Sequence, residues 1–471
     1  MDGSNGANAT SIDIKVLAKS LEGKVMQSPT TDSKNKYCSI FKVPDILLKQ
    51  NERAYVPNSF SIGPFHHGTK PELEVGEMIK LQYLHDLVKR KPNPETSFQE
   101  LITAMANMSK EAGDCYAAPV LGKNVTSQDE FVKILVVDGC FIVELLRKGA
   151  REVDVDEHDP IFNNPRLLQF LAHDLLLLEN QVPWSVLERI FTVTEPNFSG
   201  AGGGARRGSP RMAELALQFS QYTLRFAFPR GGYIPPDSAV VSCLHLLDLC
   251  RLAFLQIGGS SSTSAAATTA KAPRREGEPP TTEIFKGKKI PSVTDLVEAG
   301  IEFESVDPYP YRSLLDIKFK KGVLEIPQLT ILEMSETILR NLVCFEQCYP
   351  HFPPRFTSYV LLLDYLVGST KDVRALCNSK IFLNWYKDEE VVHMFHKICS
   401  DAWIKDFHYE ALCDEVNQYC KRKWPRWRAT YFRFFGTPWG ILTQVVAVAG
   451  LLLTFLQTLY TIKGTSVKEH R

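Results

Sequence analysis

The chain has 471 residues, 44% of them hydrophobic and 23% charged, enough apolar material for a packed core. Lysine plus arginine equals aspartate plus glutamate at 54 each, so the overall charge points to no polyanionic partner, and no nucleic acid is expected. The 11 cysteines are odd in number, scattered, and mostly set in apolar stretches, which suits reduced, buried thiols better than a disulfide scaffold.

Residues 1–36 are polar, lack an apolar signal core and read as a disordered N-terminal arm. A mainly helical body is expected over 37–430. Met78 to Lys89 places Met78, Leu81, Leu84, Leu87 and Val88 in helical register, and Pro165 to Leu178 has a similar pattern. A Gly-rich flexible loop over 199–211 and a Ser/Ala/Thr/Pro-rich insertion over 258–282 interrupt the body. Between them Val241, Leu244, Leu247 and Phe254 keep helical spacing. Ser292 with Asp295 makes a helix start and Gly300 a stop. Leu315, Ile317 and Phe319 alternate, Lys320-Lys321-Gly322 turns the chain, and Val323 to Pro327 returns, which predicts a β-hairpin. Ile301 and Phe303 add a short strand. No strand–helix alternation is present, so a parallel α/β sheet is not expected.

The C-terminal region is of another kind. From Phe434 to Ile462 no side chain is charged, and Thr437-Pro438 provides a helix start. A helix over 438–462 would measure roughly 37 Å at about 1.5 Å per residue, and a transmembrane span needs roughly 20 apolar residues. Buried core helices are the alternative reading. Ahead of the run, Lys421, Arg422, Lys423, Arg426, Arg428 and Arg433 form a basic collar with interleaved aromatics, and Trp439 sits at the interface position. The collar fits an anionic lipid surface; nucleic-acid contact is its other reading. Its weight against Lys463, Lys468 and Arg471 orients the body to the cytosol. The sequons at Asn8, Asn107, Asn124 and Asn197 then stay unglycosylated. Thr443, Ala447, Gly450, Thr454, Gln457 and Thr461 recur at spacings of three and four, either as a face for homo- or hetero-association or as tolerated polar positions in a single span. The expected architecture is therefore mainly α with a small β-hairpin or sheet element and a single C-terminal transmembrane helix, within a 431–471 collar, span and tail.

Several motifs occur in a fixed order: Ser61-Ile62-Gly63-Pro64-Phe65-His66-His67-Gly68, Asp138-Gly139-Cys140-Phe141, Leu178-Glu179-Asn180-Gln181-Val182-Pro183, Leu324-Glu325-Ile326-Pro327, and Arg340-Asn341-Leu342 with Phe345-Glu346-Gln347. Together they resemble the plant family called domain of unknown function 247, from about Tyr37 to the tail. The resemblance implies a plant protein that is mostly helical, carries a C-terminal membrane anchor and has no established biochemical activity. It also implies recognition more than catalysis, since some grass members are implicated in self-incompatibility. This chain departs in its two low-complexity segments and in Cys377-Asn378-Ser379-Lys380, where the family usually has a glycine-led apolar turn.

Each motif carries a structural and a functional reading. Glu179, Asn180 and Gln181 follow a leucine run and precede Pro183, so they either satisfy backbone groups freed at a helix end or form a binding site. Glu346 and Gln347 sit in a like setting, and one shared buried polar network is expected for both motifs. His66 and His67 are adjacent and seldom would face one ligand. Cys140 is either a buried thiol or a nucleophile without an identifiable base. Cys344 and Cys348 with His393 and His396 would make a Cys2His2 set of unfamiliar spacing. No phosphate loop, nucleophile elbow or zincin motif occurs, so no cofactor, metal or catalytic site is expected. The expected function is a membrane-anchored recognition protein with an unknown protein partner. The alternatives are an unfamiliar enzyme at a membrane surface and an extracellular ligand-recognition domain.

Overall fold

The computed structural model describes residues 19, 38–91, 93–122, 124–195, 209–223, 243–256, 289–306, 313–349, 352–400, 402–404, 406–421 and 438–466. The N-terminal arm, most of the Gly-rich loop and the whole 258–282 insertion lie outside these residues. A short α1, Asp45–Gln50, leads to α2, Glu74–Lys89, α3, Pro94–Asp114, and α4, Gln128–Gly149. The start of α4 is fixed by reciprocal capping. Ser127 Oγ accepts from Glu130 N–H, and Glu130 reaches back to Thr126 N–H at 2.6 Å. From Phe131 to Lys148 this helix is buried at nearly every position, so it cannot be amphipathic and must be surrounded. The helices α2, α3, α6 (Trp184–Thr194) and α7 (Ser209–Thr223) pack around it. Between them, α5, Pro165–Asp174, is capped by Asn164 and begins on a proline. A further helix, α8, Leu246–Gln256, packs on α7.

The second half opens with α9, Val293–Glu298, capped by Ser292 and ended at Gly300. Two small sheets follow. In the first, β1 (Glu302–Val306) runs parallel to β3 (Val323–Pro327), which pairs antiparallel with β2 (Lys318–Lys320). Lys320 pairs with Val323, leaving Lys321 and Gly322 as a two-residue turn with φ of 52° and 90°. The hairpin and the short strand before it therefore form as the alternation predicts. In the second sheet, β4 (Leu329–Ile331) lies parallel to β5 (Phe382–Asn384). Its crossover contains α10 (Glu333–Cys348), α11 (Arg355–Leu366) and α12 (Thr370–Asn378). Parallel pairing thus occurs here on a scale of a few residues, which periodicity alone did not reveal. The helices α13, Asp388–Cys399, and α14, Glu410–Cys420, complete this half.

The C-terminal helix α15 spans Pro438–Ser466. Its described side chains run from Leu442 to Leu459. Thr443, Gly450, Thr454, Gln457 and Thr458 interrupt the apolar run. Among the described residues no helix is long and apolar enough to cross a membrane. The expected single transmembrane helix and single-pass membrane placement are corrected accordingly, and the cytosolic orientation inferred from them loses its basis. Thr443, Ala447, Gly450, Thr454 and Gln457 are exposed on α15, and the Thr454 hydroxyl donates to Gly450 O at 2.8 Å. Of the collar, Lys421 is exposed just after α14. Arg422, Lys423, Arg426, Arg428 and Arg433 lie outside the described residues, as do the side chains of Trp439 and Thr461.

Candidate functional site

The motif residues of the first half meet at one point. The segment Ser61 to Gly68 lies across α2 and α4, held by side chains from distant positions. Asp138 on α4 accepts from Gly63 N–H at 2.7 Å, and Asn180 accepts from Ile62 N–H at 2.7 Å. The ammonium of Lys80, fully buried on α2, pairs with Asp138 and donates to Ser61 O at 2.7 Å. Its third neighbour is Glu77 Oε1 at 2.6 Å. Burial pushes the Asp138 carboxyl upward, while Lys80 and the Gly63 N–H oppose that shift. Gly63 has φ of 73°, and a Cβ there would sit 2.5 Å from Gln181 O. The position therefore needs glycine for its backbone and for its close approach.

A second layer fixes the approach to this segment. Asp174, at the end of α5, accepts from the successive N–H groups of Asn58, Ser59 and Phe60, each at 2.8 Å. Asp159 accepts from Tyr83 Oη at 2.9 Å and Lys148 Nζ at 3.0 Å. Neither aspartate was legible from the sequence as a site residue, nor was Lys80. Their partners are 58 or more residues distant in the cases of Lys80–Asp138 and Asp174–Asn58, so no local spacing signals them.

The expected polar residues take structural positions. Glu179 accepts from Val43 N–H at 2.6 Å. Its other oxygen is 3.4 Å from His66 Nε2. Burial, with Lys42 and Lys70, lowers His66 to about 4, so this is a polar contact with a neutral imidazole rather than an ion pair. Gln181 donates to Leu175 O and Leu177 O and accepts from Leu247 N–H. Glu346 accepts from Phe356 N–H at 3.0 Å and Thr357 N–H at 2.9 Å, closing the start of α11. Gln347 donates to Thr357 Oγ and accepts from Trp403 N–H. The hydrogen bonds of the Glu179 group and of the Glu346 group fall on separate partners. The residue that ties α10 to the leucine run is Asn341, which accepts from Leu178 N–H at 2.9 Å and donates to Ala54 O.

Cys140 is fully buried and burial pushes its thiol up, so it stays protonated. All 11 cysteines are free. His393 and His396 line a cleft of about 660 Å³ with Asp364, which lies 3.5 Å from His396. Cys344 is buried away from solvent. Among the described residues no group of three or more His, Cys, Asp or Glu is placed to hold a metal ion.

Beside the motif segment a second cleft, of about 440 Å³, opens between α2 and the start of α4. His67, Glu77, Leu81, Glu130, Lys133 and Asp138 line it. Asp138, the partner of Lys80, is part of its wall, and most of the other lining side chains are polar or charged. On α2 the buried face is Ile79, Lys80, Tyr83, Leu84, Leu87 and Val88. Met78 and Leu81 point outward, and Val75 joins them at a three-residue spacing.

A family model described as plant protein of unknown function, domain of unknown function 247, matches residues 40–453. The chain belongs to this family. The UPF0481 protein At3g47200 of Arabidopsis thaliana is 28% identical over 437 residues, covering 90% of this chain and 86% of that protein. A putative UPF0481 protein of the same plant, At3g02645, is 23% identical, covering 89% of each. No solved structure matches. In this chain the converging motifs form one buried joint, built around Asp138 and Lys80, with a cleft on its outer side.

Proposed function

We propose that this member of the family works by binding another protein through the α2 ridge and the adjoining cleft, and not by turnover of a substrate. The observation that carries the reading is the ridge. Val75, Met78 and Leu81 are 64%, 72% and 54% exposed in a row on one helix. Burying such a side chain is worth about 1.5–3 kcal/mol, and an apolar row beside a polar cleft is what a partner surface covers. Glu77 and Glu130 offer acceptors in the cleft, with Lys133 exposed at its edge. The matching partner carries apolar side chains flanked by a lysine or arginine.

The state of the titratable groups supports binding over catalysis. Glu179 and Glu346, the carboxylates that an enzymatic reading would recruit, accept backbone N–H groups and line neither cleft described above. Recognition of the self-incompatibility type, which the family resemblance implies for some grass members, is a setting that such a surface suits. The test compares proximity labelling in intact plant cells by the wild-type chain and by a Met78→Asp/Leu81→Asp variant. Specific neighbours should disappear with the double variant while its circular dichroism stays unchanged. An identical set of neighbours would overturn the reading.

A further inference from the structure

A second exposed surface lies in the other half of the molecule, at the end of β5. Leu383 and Trp385 are two residues apart in extended chain, so they share a face. They are 41% and 77% exposed, and Tyr386 beside them is 37% exposed. The other face of β5 is occupied by Phe382, which is buried against Phe395 with ring centroids 5.9 Å apart. Trp385 is held in place from its backbone, whose N–H donates to Ile331 O at 3.3 Å. The Asn384 side chain pins the next residue, accepting from Tyr386 N–H at 2.9 Å and donating to its carbonyl at 3.0 Å. An indole with a fixed main chain is thus presented to solvent.

The charges around it have one predominant sign. The β4–β5 register sets Ile331 opposite Asn384, which brings Glu333, at the start of α10, next to Tyr386. Glu336 follows one turn later and Glu390 comes from the first turn of α13. After burial, these three carboxylates act together to push the Tyr386 phenol up to about 12. Glu336 is held by Arg340 at 2.7 Å, and Asp388 by Arg374 at 2.7 Å. Lys387 stands next in the chain as the opposing cation. Glu333 and Glu390 outweigh it.

We propose that the Leu383–Trp385–Tyr386 surface binds an arginine- or lysine-bearing segment of a partner protein, with the cation over the Trp385 ring and toward Glu333 and Glu390. An aromatic face and nearby carboxylates both attract a desolvated cation, the first through its quadrupole and the second through charge. Leu383 provides the apolar contact for the stem of such a side chain. This surface is separate from the α2 ridge and stands or falls independently of it.

The test is a fluorescence and calorimetric titration of the full-length chain with three short synthetic peptides. They are identical except for a central arginine, citrulline or glutamate. The arginine peptide should perturb Trp385 emission and bind at least about tenfold more tightly than the citrulline peptide, a difference of about 1.4 kcal/mol. Glutamate in that position should abolish binding. Trp385→Ala and, separately, Glu390→Gln should weaken the arginine peptide severalfold, with unchanged thermal unfolding. Added salt should weaken it further. Equal binding of the arginine and citrulline peptides, or wild-type affinity in Trp385→Ala, would overturn the proposal.

Discussion

The two faces of α2 obey different rules. Inward, Lys80 is a charged residue in a core position, and every polar neighbour it has is fixed: Asp138, Ser61 O and Glu77. Outward, Met78 and Leu81 are apolar residues in water, with 72% and 54% of their surface exposed. A helix optimised for stability alone would exchange these placements, since a buried ammonium is costly and an exposed methionine gains nothing. The difference teaches that the inner face is tied down by buried polar partners while the outer face leaves apolar surface uncovered. A buried ion pair adds little net stability over apolar packing, but here it joins the Ser61–Gly68 segment to both α2 and α4.

The largest effect should come from breaking the inner face. Asp138→Ala leaves the Lys80 ammonium buried without its carboxylate and the Gly63 N–H without its acceptor. Loss of one partner of a buried pair costs about 3–5 kcal/mol, readable as a lower denaturant midpoint. A Lys80→Met/Asp138→Leu double variant should recover a large part of that loss. Wild-type stability in the single variant would break the comparison at its root. So would a double variant no more stable than the single one.

Gly63→Ala attacks the same joint from the backbone. With φ at 73° and Gln181 O only 2.5 Å from the new Cβ, both conformation and sterics resist it. A loss of about 1–3 kcal/mol is expected, measured by thermal or denaturant unfolding. No loss would mean that the segment can lift off α4 without penalty.

How much of this was legible beforehand depends on range. The hairpin was, because Lys321-Gly322 and its flanking alternation are contiguous. The caps at Ser292 and Gly300 were, for the same reason. The motifs around Gly63, Asp138 and Asn180 stood out as residue types, but their common purpose did not, because only the fold brings them together. The helix over Met78 to Lys89 was legible from its periodicity, but nothing local shows that Ile79, Lys80 and Tyr83 face the core while Met78 and Leu81 face outward. The C-terminal run reads as a span from its lack of charge, but among the described residues no helix is long and apolar enough to cross a membrane.

A pH titration separates burial of neutral groups from pairing of charged ones. His245 is fully buried against Phe345, bonded to Ser39 O at 3.2 Å, and burial lowers it to about 4. Its unfolded value is about 6.5. The unfolded chain therefore binds the extra proton first, so this contribution is fully present above about pH 6.5 and is lost as pH falls toward 4. The slope for one proton is at most about 1.4 kcal/mol per pH unit. Asp138 and Glu346, raised by burial, act with the opposite sign, so the measurement is the difference between the wild type and His245→Phe over this window. The variant should show a flatter dependence. Parallel curves would place the proton uptake elsewhere.

The smallest effect on stability is the one that sharpens the comparison most. Met78→Ser/Leu81→Ser alters two exposed side chains that make no described hydrogen bond and leave the Lys80 face untouched. Surface changes of this kind stay within about 0.5 kcal/mol, so the unfolding midpoint should hardly move. If these residues served the fold, stability would fall by an amount comparable to core truncation, about 2–5 kcal/mol. A near-zero change in stability together with lost partner binding separates the two faces of α2 by function, because the same helix would then tolerate loss of its apolar outside but not of its charged inside.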